Sequence, residues 1–284
     1  MDISGKELAK QFQEKLKEKI SREKHSITLA FVLVGKDPPS QAYVRMKERA
    51  CSEVGIKSLK IELPDETTEF ELLELIGNLN SDPSINGILV QMPLPSQINE
   101  EKVLLTIDPD KDVDGFHPFN VGKMITGDKH AIIPCTPLGV LKLLEAYQIE
   151  TKGKHVVVIG RSNIVGRPLA NLLSQKRAYG NATVTLVHSH SKDLSNICKQ
   201  ADILIAAIGK PLFVTKEMVK PGAVVIDVGI NRVNDKIVGD VNYSDVKEIV
   251  SFITPVPGGV GPMTIAMLLE NTYLLAKEQN CSLS

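Results

Sequence analysis

The chain has 284 residues, 43% of them hydrophobic and 24% charged, with a formal net charge of −1. That composition supplies one large or two ordinary cores. The near-neutral charge and the lack of tryptophan argue against a nucleic-acid surface, and no apolar run approaches the roughly 20 residues of a membrane span.

The first 16 residues, MDISGKELAKQFQEKL, carry charges throughout and read as an amphipathic helix rather than a signal peptide. Cys51, Cys135, Cys198 and Cys281 are scattered, without CxxC spacing, and read as reduced thiols of a cytoplasmic protein. From Ile27 the run ITLAFVLVG predicts a buried strand ending at Gly35. A Lys-Asp-Pro-Pro turn follows, and Ser40 is the expected N-cap of a helix to about Val54. Residues 58–63 alternate like a strand, and Thr68 opens a helix with Leu72, Leu73 and Ile76 on its apolar side. Residues 87–90, GILV, predict a third strand, and a helix is expected over about 99–106.

Residues 109–137 are polar and rich in Gly and Pro, and predict a long functional loop. The alternation then resumes: a helix over about 138–148, strands at 156–159, 183–188, 202–207 and 223–228, and helices from Gly166, over about 194–199 and near 216–219. A last helix follows the segment TPVPGGVGPMT and starts at Met263. Strand–helix alternation of this kind predicts an α/β protein of two domains, each a mostly parallel sheet flanked by helices, the second of dinucleotide-binding (Rossmann) type. The expected boundaries are 1–137, 138–262 and 263–284, the last segment returning to the first domain.

In open parallel sheets, ligands sit beyond the carboxyl ends of the strands. After the strand at 156–159 comes Gly160-Arg161-Ser162-Asn163-Ile164-Val165-Gly166, then a helix. A strand, a glycine turn and a helix N-terminus favour a bound phosphate. The turn is neither the common GxGxxG fingerprint nor a P-loop, since Ser162 replaces a glycine and no Lys-Ser/Thr follows Gly166. Where an NAD site usually places an acidic residue at the end of the second strand, this chain has His188-Ser189-His190. Ser189 would not repel a 2′-phosphate and Arg161 could hold one, which favours NADP over NAD. His188 and His190 could also share a metal, but no third ligand is evident and none is expected.

Tyr43 and Lys47 are four apart on the helix after the first strand, so they share one face. A lysine in a partly desolvated site can serve as a proton carrier near neutral pH. Gln91 follows the third strand and could hold that lysine or a substrate carbonyl. Asp114 lies in the long loop, where a carboxylate could grip the amidine-like edge of a heterocycle. The run Asp108, Asp110, Asp112, Asp114 resembles half a calcium loop, but lacks the closing glutamate. His117, His130 and His155 have no evident partner.

Together, Ser40-x2-Tyr43-x3-Lys47, VQMPLP at 90–95, KDVDG at 111–115, PCTP at 134–137, the glycine turn and TPVPGGVGPMT at 254–264 resemble the bifunctional methylenetetrahydrofolate dehydrogenase/methenyltetrahydrofolate cyclohydrolase family over the whole chain. PVPGGVGPMT is the specific part, whereas YxxxK also occurs in short-chain dehydrogenases, downstream of the glycine turn rather than upstream of it. The resemblance implies one-carbon folate chemistry that feeds purine biosynthesis. 5,10-methylenetetrahydrofolate is oxidised with NADP+ and the methenyl product is hydrolysed to 10-formyltetrahydrofolate. It implies Lys47 as the central catalytic group, Tyr43 against the pterin, Gln91 bonded to Lys47, and Asp114 on the pterin edge. Pro257, Gly258 and Gly259 are implied on the folate side. Gly160, Arg161, Ser162, Ser189 and Ile230 would contact the dinucleotide, with Thr136 and Thr264 near the nicotinamide. It further implies a homodimer. The alternatives are a different two-domain NAD(P) dehydrogenase and a non-catalytic nucleotide sensor.

Overall fold

The computed structural model describes residues 1–23, 25–234 and 236–282. In chain order the elements are α1 (Gly5–Ile20), β1 (Thr28–Val34), α2 (Pro38–Val54), β2 (Lys57–Leu63), α3 (Glu69–Ser81), β3 (Gly87–Val90), α4 (Glu100–Thr106), α5 (Pro118–Thr126), α6 (Cys135–Ala146), β4 (His155–Ile159), α7 (Gly166–Ser174), β5 (Thr183–Val187), α8 (Leu194–Lys199), β6 (Ile203–Ala206), β7 (Val224–Asp227), β8 (Asn231–Val233), β9 (Lys236–Val238), α9 (Tyr243–Val246), β10 (Phe252–Ile253) and α10 (Val260–Ser282). The chain divides into two compact units. One comprises Gln11–Ile133 and the segment from Leu268; the other comprises Met1–Lys10 and Pro134–Met267.

The first unit holds a three-stranded parallel sheet in the order β2-β1-β3. In β1 every residue from Leu29 to Val34 is buried, as expected of a parallel strand covered on both faces. Ala30, Val32, Ile76, Ile88 and Val90 join one apolar cluster, each fully buried branched side chain contributing about 1.5–3 kcal/mol. The second unit holds a five-stranded parallel sheet, β10-β7-β6-β4-β5. Its centre, β4 and β6, is buried from Val156 to Ile159 and from Ile203 to Ala206. Both units are therefore α/β, with parallel sheets flanked by helices.

The structure corrects several local expectations. Helix α2 starts at Pro38, not at Ser40: Asp37 is its N-cap, and Ser40 gives its backbone N–H (2.9 Å) and its hydroxyl (2.6 Å) to the Asp37 carboxylate. Prolines at the first two helical positions have no N–H to leave unsatisfied, so the helix can begin there. Residues 109–137 are not a structureless loop. They hold a 3-10 turn at Pro109–Lys111 and the helix α5, and α6 begins inside them at Cys135. The His117 ring accepts the N–H of Phe119 and Gly127 closes α5 in the left-handed conformation, start and stop signals too short to stand out in a polar stretch. The last helix starts three residues earlier than expected, at Val260. The N-terminal helix starts at Gly5, because Met1–Ile3 bonds to the β10 edge instead. The β8–β9 hairpin, α9 and β10 had no expectation attached.

Candidate active site

The lysine site belongs to the first unit. Tyr43 and Lys47 lie one turn apart on α2, both half-buried. Burial raises the Tyr43 phenol above its ordinary pKa, so it is neutral at physiological pH. Gln91 is the first residue beyond β3, and its backbone N–H still bonds to Val32 O at 2.9 Å, continuing the sheet ladder. Its side-chain orientation is fixed at both ends. Nε2 donates to Met92 O at 2.7 Å, and Oε1 accepts from Lys47 Nζ at 3.1 Å. The amide oxygen, a neutral acceptor, fixes the direction of the amine.

Asp114 sits in a tight turn that sequence reasoning did not explain. The preceding carboxylate, Asp112, is buried and accepts from Gly115 N (3.0 Å), His117 N (2.9 Å) and Asn120 Nδ2 (3.0 Å). Asp112 also bridges Ile88 of β3. The carbonyl of Val113 accepts from Asn271 Nδ2 of α10 at 2.9 Å, and the buried Val113 side chain packs where a Cβ on Gly87 would have to go. The Asp114 carboxylate is thus half-buried on a loop fastened to β3 and α10. Asp108 has a structural role instead, its carboxylate accepting from Asp110 N at 2.9 Å. Lys111 donates to Leu79 O and Asp82 O at the end of α3 (2.9 and 2.7 Å).

The glycine turn belongs to the second unit. Gly160 has φ +115°, and a Cβ there would overlap Ala207 O. A Cβ on Gly166 would overlap Gly160 O. Both positions admit only glycine, and together they bring the start of α7 against the end of β4. Ser162 Oγ accepts from Val165 N (3.2 Å) and Gly166 N (3.4 Å), stapling the turn, while Arg161 and Ser162 remain exposed. Strand β5 ends at Val187, so His188, Ser189 and His190 lie in the turn after it rather than on a strand face. His188 Nδ1 accepts His190 N at 3.2 Å. Desolvation, then the positive charges of Arg161 and His190, lower the His188 pKa from its ordinary 6.5. Arg161 therefore acts electrostatically on the segment carrying Ser189. This arrangement fits a dinucleotide phosphate: backbone pressed close by two glycines, a helix N-terminus, and exposed Arg161 and Ser189 beside it.

Elsewhere in this unit Thr136 Oγ1 and Thr264 Oγ1 are 3.0 Å apart and share a hydrogen bond, and Thr264 Oγ1 lies 3.4 Å from Val260 O. Pro257 is exposed after a cis peptide bond, Gly258 has φ +107° and its carbonyl accepts Lys6 N at 3.0 Å. Gly259 is buried against Gly5, where a Cβ on Gly5 would overlap its carbonyl. Ile230 is 46% exposed and Gly261 passes its Cδ1 closely. Nearby, Asp227 is buried at the end of β7; desolvation pushes its pKa up to about 6, against three backbone N–H bonds that pull it down.

Three histidines without an expected partner have one. His117 caps α5, His130 Nδ1 lies 3.3 Å from Glu278 Oε1, and His155 Nε2 lies 2.9 Å from Thr185 Oγ1. Among the described residues no three His, Cys, Asp or Glu side chains cluster closely enough to hold a metal. Nor, among them, is any helix long and apolar enough to cross a membrane. Cys51, Cys135 and Cys198 are buried and in no disulfide, and burial pushes the Cys51 thiol up to about 12.

The family model described as tetrahydrofolate dehydrogenase/cyclohydrolase, NAD(P)-binding domain, matches residues 134–280, and its catalytic-domain counterpart matches residues 3–114. A bifunctional protein FolD from Caldicellulosiruptor saccharolyticus is 57% identical over 280 residues, covering 96% of this chain and 99% of that protein. The crystal structure of the bifunctional methylenetetrahydrofolate dehydrogenase/cyclohydrolase from Campylobacter jejuni superimposes with a TM-score of 0.94 at 51% identity, covering 98% of this chain and 99% of that one. The Trypanosoma brucei methylenetetrahydrofolate dehydrogenase-cyclohydrolase, solved with NADP cofactor and inhibitor, has a TM-score of 0.93 at 38% identity, covering 98% and 97%.

Proposed function

The chain belongs to the tetrahydrofolate dehydrogenase/cyclohydrolase family, and we propose that the side chains described above carry the two reactions. It is a bifunctional enzyme of one-carbon folate metabolism. It oxidises 5,10-methylenetetrahydrofolate to the 5,10-methenyl form with NADP+ and hydrolyses that product to 10-formyltetrahydrofolate.

The observation that carries the residue assignment is the 3.1 Å bond from Lys47 Nζ to Gln91 Oε1. In the first reaction the folate nitrogen lone pairs push hydride off the methylene carbon, so the protein need only orient the reactants. NADP+, when bound, supplies the hydride acceptor. Gly160, Arg161 and Ser162 would hold its phosphates, Arg161 and Ser189 would face the 2′-phosphate, Ile230 would contact the dinucleotide, and Thr136 and Thr264 would lie near the nicotinamide end. In the second reaction a water oxygen bonds to the methenyl carbon, and the C=N electron pair returns to nitrogen. Lys47 takes the water proton and later returns one to N5 as the C–N5 bond breaks, leaving the formyl group on N10. Gln91 keeps the amine aimed, Tyr43 packs on the pterin, and Asp114 accepts two hydrogen bonds from the pterin's amidine-like edge. Pro257, Gly258 and Gly259 are further substrate contacts. The enzyme acts in the cytoplasm as a homodimer, which sedimentation would test.

Replacing Lys47 by Met keeps the stem and removes the amine. Cyclohydrolase turnover is expected to fall by about 10²-fold or more, the scale of a lost general acid–base group, while folate still binds. Hydrolysis of methenyltetrahydrofolate near the wild-type rate would remove Lys47 from its role.

A further inference from the structure

The dinucleotide side of the second unit contains a carboxylate that touches no solvent. Asp240 is fully buried, so it cannot meet a ligand. Its two oxygens nonetheless join two strand-end loops. Oδ2 accepts from Ile208 N at 2.7 Å and Gly209 N at 3.0 Å, in the loop after β6. Oδ1 accepts from Asn231 Nδ2 at 2.9 Å, beside Ile230 in the segment after β7. The first loop abuts the glycine turn, since Ala207 O and Ile208 occupy the space a Cβ on Gly160 would need. One buried carboxylate therefore connects the wall beside Gly160 to the residue next to Ile230.

The β8–β9 hairpin explains how Asp240 arrives there. Asn231 pairs with Val238 across the hairpin, which returns the chain two residues before Asp240. The seat is shaped for it: a Cβ on Gly229 would overlap its carboxylate, and a Cβ on Gly239 would overlap that of Asp227. Asp227 fixes the backbone on either side of the seat, accepting from Gly229 N, Asp240 N and Val241 N at 3.0, 3.0 and 2.9 Å. With both oxygens of Asp240 and both oxygens of Asp227 engaged, the linkage is held at five backbone N–H groups and one side-chain amide.

We propose that Asp240, acting through Asn231 and through the Ile208–Gly209 backbone, is a positioning residue that holds the two walls of the dinucleotide site at a fixed separation. This rests on the assignment of Gly160 and Ile230 to dinucleotide binding. Because the linkage touches the loops and not the segment carrying Ser189, it serves NADP+ and NAD+ alike. It has no part in hydrolysis, which uses no dinucleotide.

The test uses the full chain with Asn231→Ala and Asp240→Asn, measuring NADP+ and NAD+ affinity by calorimetry and both activities by steady-state kinetics. Losing the bond between Asn231 and Asp240 is expected to weaken both dinucleotides by about ten-fold, with KM rising more than kcat falls and cyclohydrolase kcat/KM within about two-fold of wild type. Asn231→Ala leaves the Ile208 and Gly209 bonds in place, so it decides the matter if the Asp240 variant does not fold. Unchanged affinity, or parallel loss of dinucleotide binding and hydrolysis, would overturn the proposal. Should the wild type bind dinucleotide but oxidise no folate, the functional assignment fails while the binding comparison still judges Asp240.

Discussion

The neighbours of a polar side chain fix its direction and the charge around it: Lys47 donates to a neutral amide oxygen, Gln91 Oε1, at 3.1 Å. The same reasoning applies to the phosphate side. His188 is kept below its ordinary pKa of 6.5 by desolvation and by the positive charges of Arg161 and His190, so it is neutral in the free enzyme at neutral pH. A 2′-phosphate beside Arg161 would reverse the local field and raise the His188 pKa. Binding that raises a pKa takes up a proton and is favoured as pH falls toward the free-state value. An NMR titration of His188 is therefore expected to move upward with NADP+ and hardly at all with NAD+. Correspondingly, Arg161→Ala should weaken NADP+ about ten-fold more than NAD+, the scale of a lost charged hydrogen bond. An unmoved His188 titration or equal losses would place the 2′-phosphate elsewhere.

At the scale of elements, side-chain roles depend on loops whose anchors are remote in sequence. Asp114 is held by Asp112 within its own turn and by Asn271, whose side-chain amide reaches Val113 O from α10, 158 positions away, a distance at which sequence spacing carries no signal. Asn271→Ala would remove the bonds that its amide donates to that carbonyl and to Ile133 O. A cost of about 1–3 kcal/mol in stability is expected for the lost buried bonds. A parallel rise in KM for folate in both reactions is expected too; an unchanged folate KM would show that Asp114 does not depend on this anchor. The parallel strands were legible because burial on both faces makes them continuous apolar runs, as in LAFVLV and HVVVI. The Lys47–Gln91 pairing was legible from the family resemblance. The choice of Asp112 as anchor was not, because two aspartates two apart carry no mark of which one faces inward. Nor was the β8–β9 hairpin, whose residues are mostly exposed and have no apolar alternation. Gly259 had a binding role attached, yet its close approach to Gly5 is a packing constraint that only the folded chain displays.

For the molecule as a whole, the two reactions make unequal demands on the two units. Oxidation needs both a folate and a dinucleotide; hydrolysis needs the folate, water and a proton carrier. The two activities of one chain should therefore separate according to the unit that is altered. Gly160 gives the sharpest case. Its φ of +115° is strained for any other residue, and a Cβ would overlap Ala207 O, so Gly160→Ala must shift the backbone that faces the phosphates. Strain of this kind costs about 1–3 kcal/mol, and if it is relieved by moving the turn, dinucleotide affinity should fall by about ten-fold or more. The dehydrogenase would then be lost at ordinary NADP+ concentrations while the hydrolysis of methenyltetrahydrofolate continues. Lys47→Met, in the other unit, is expected to have the complementary effect, a loss of hydrolysis with dinucleotide affinity unchanged. Measuring NADP+ affinity and both rates on the two variants gives six comparisons with the wild type. If Gly160→Ala abolished hydrolysis with its melting temperature preserved, the glycine turn would have to serve the folate chemistry directly, and the division of labour between the units would be wrong.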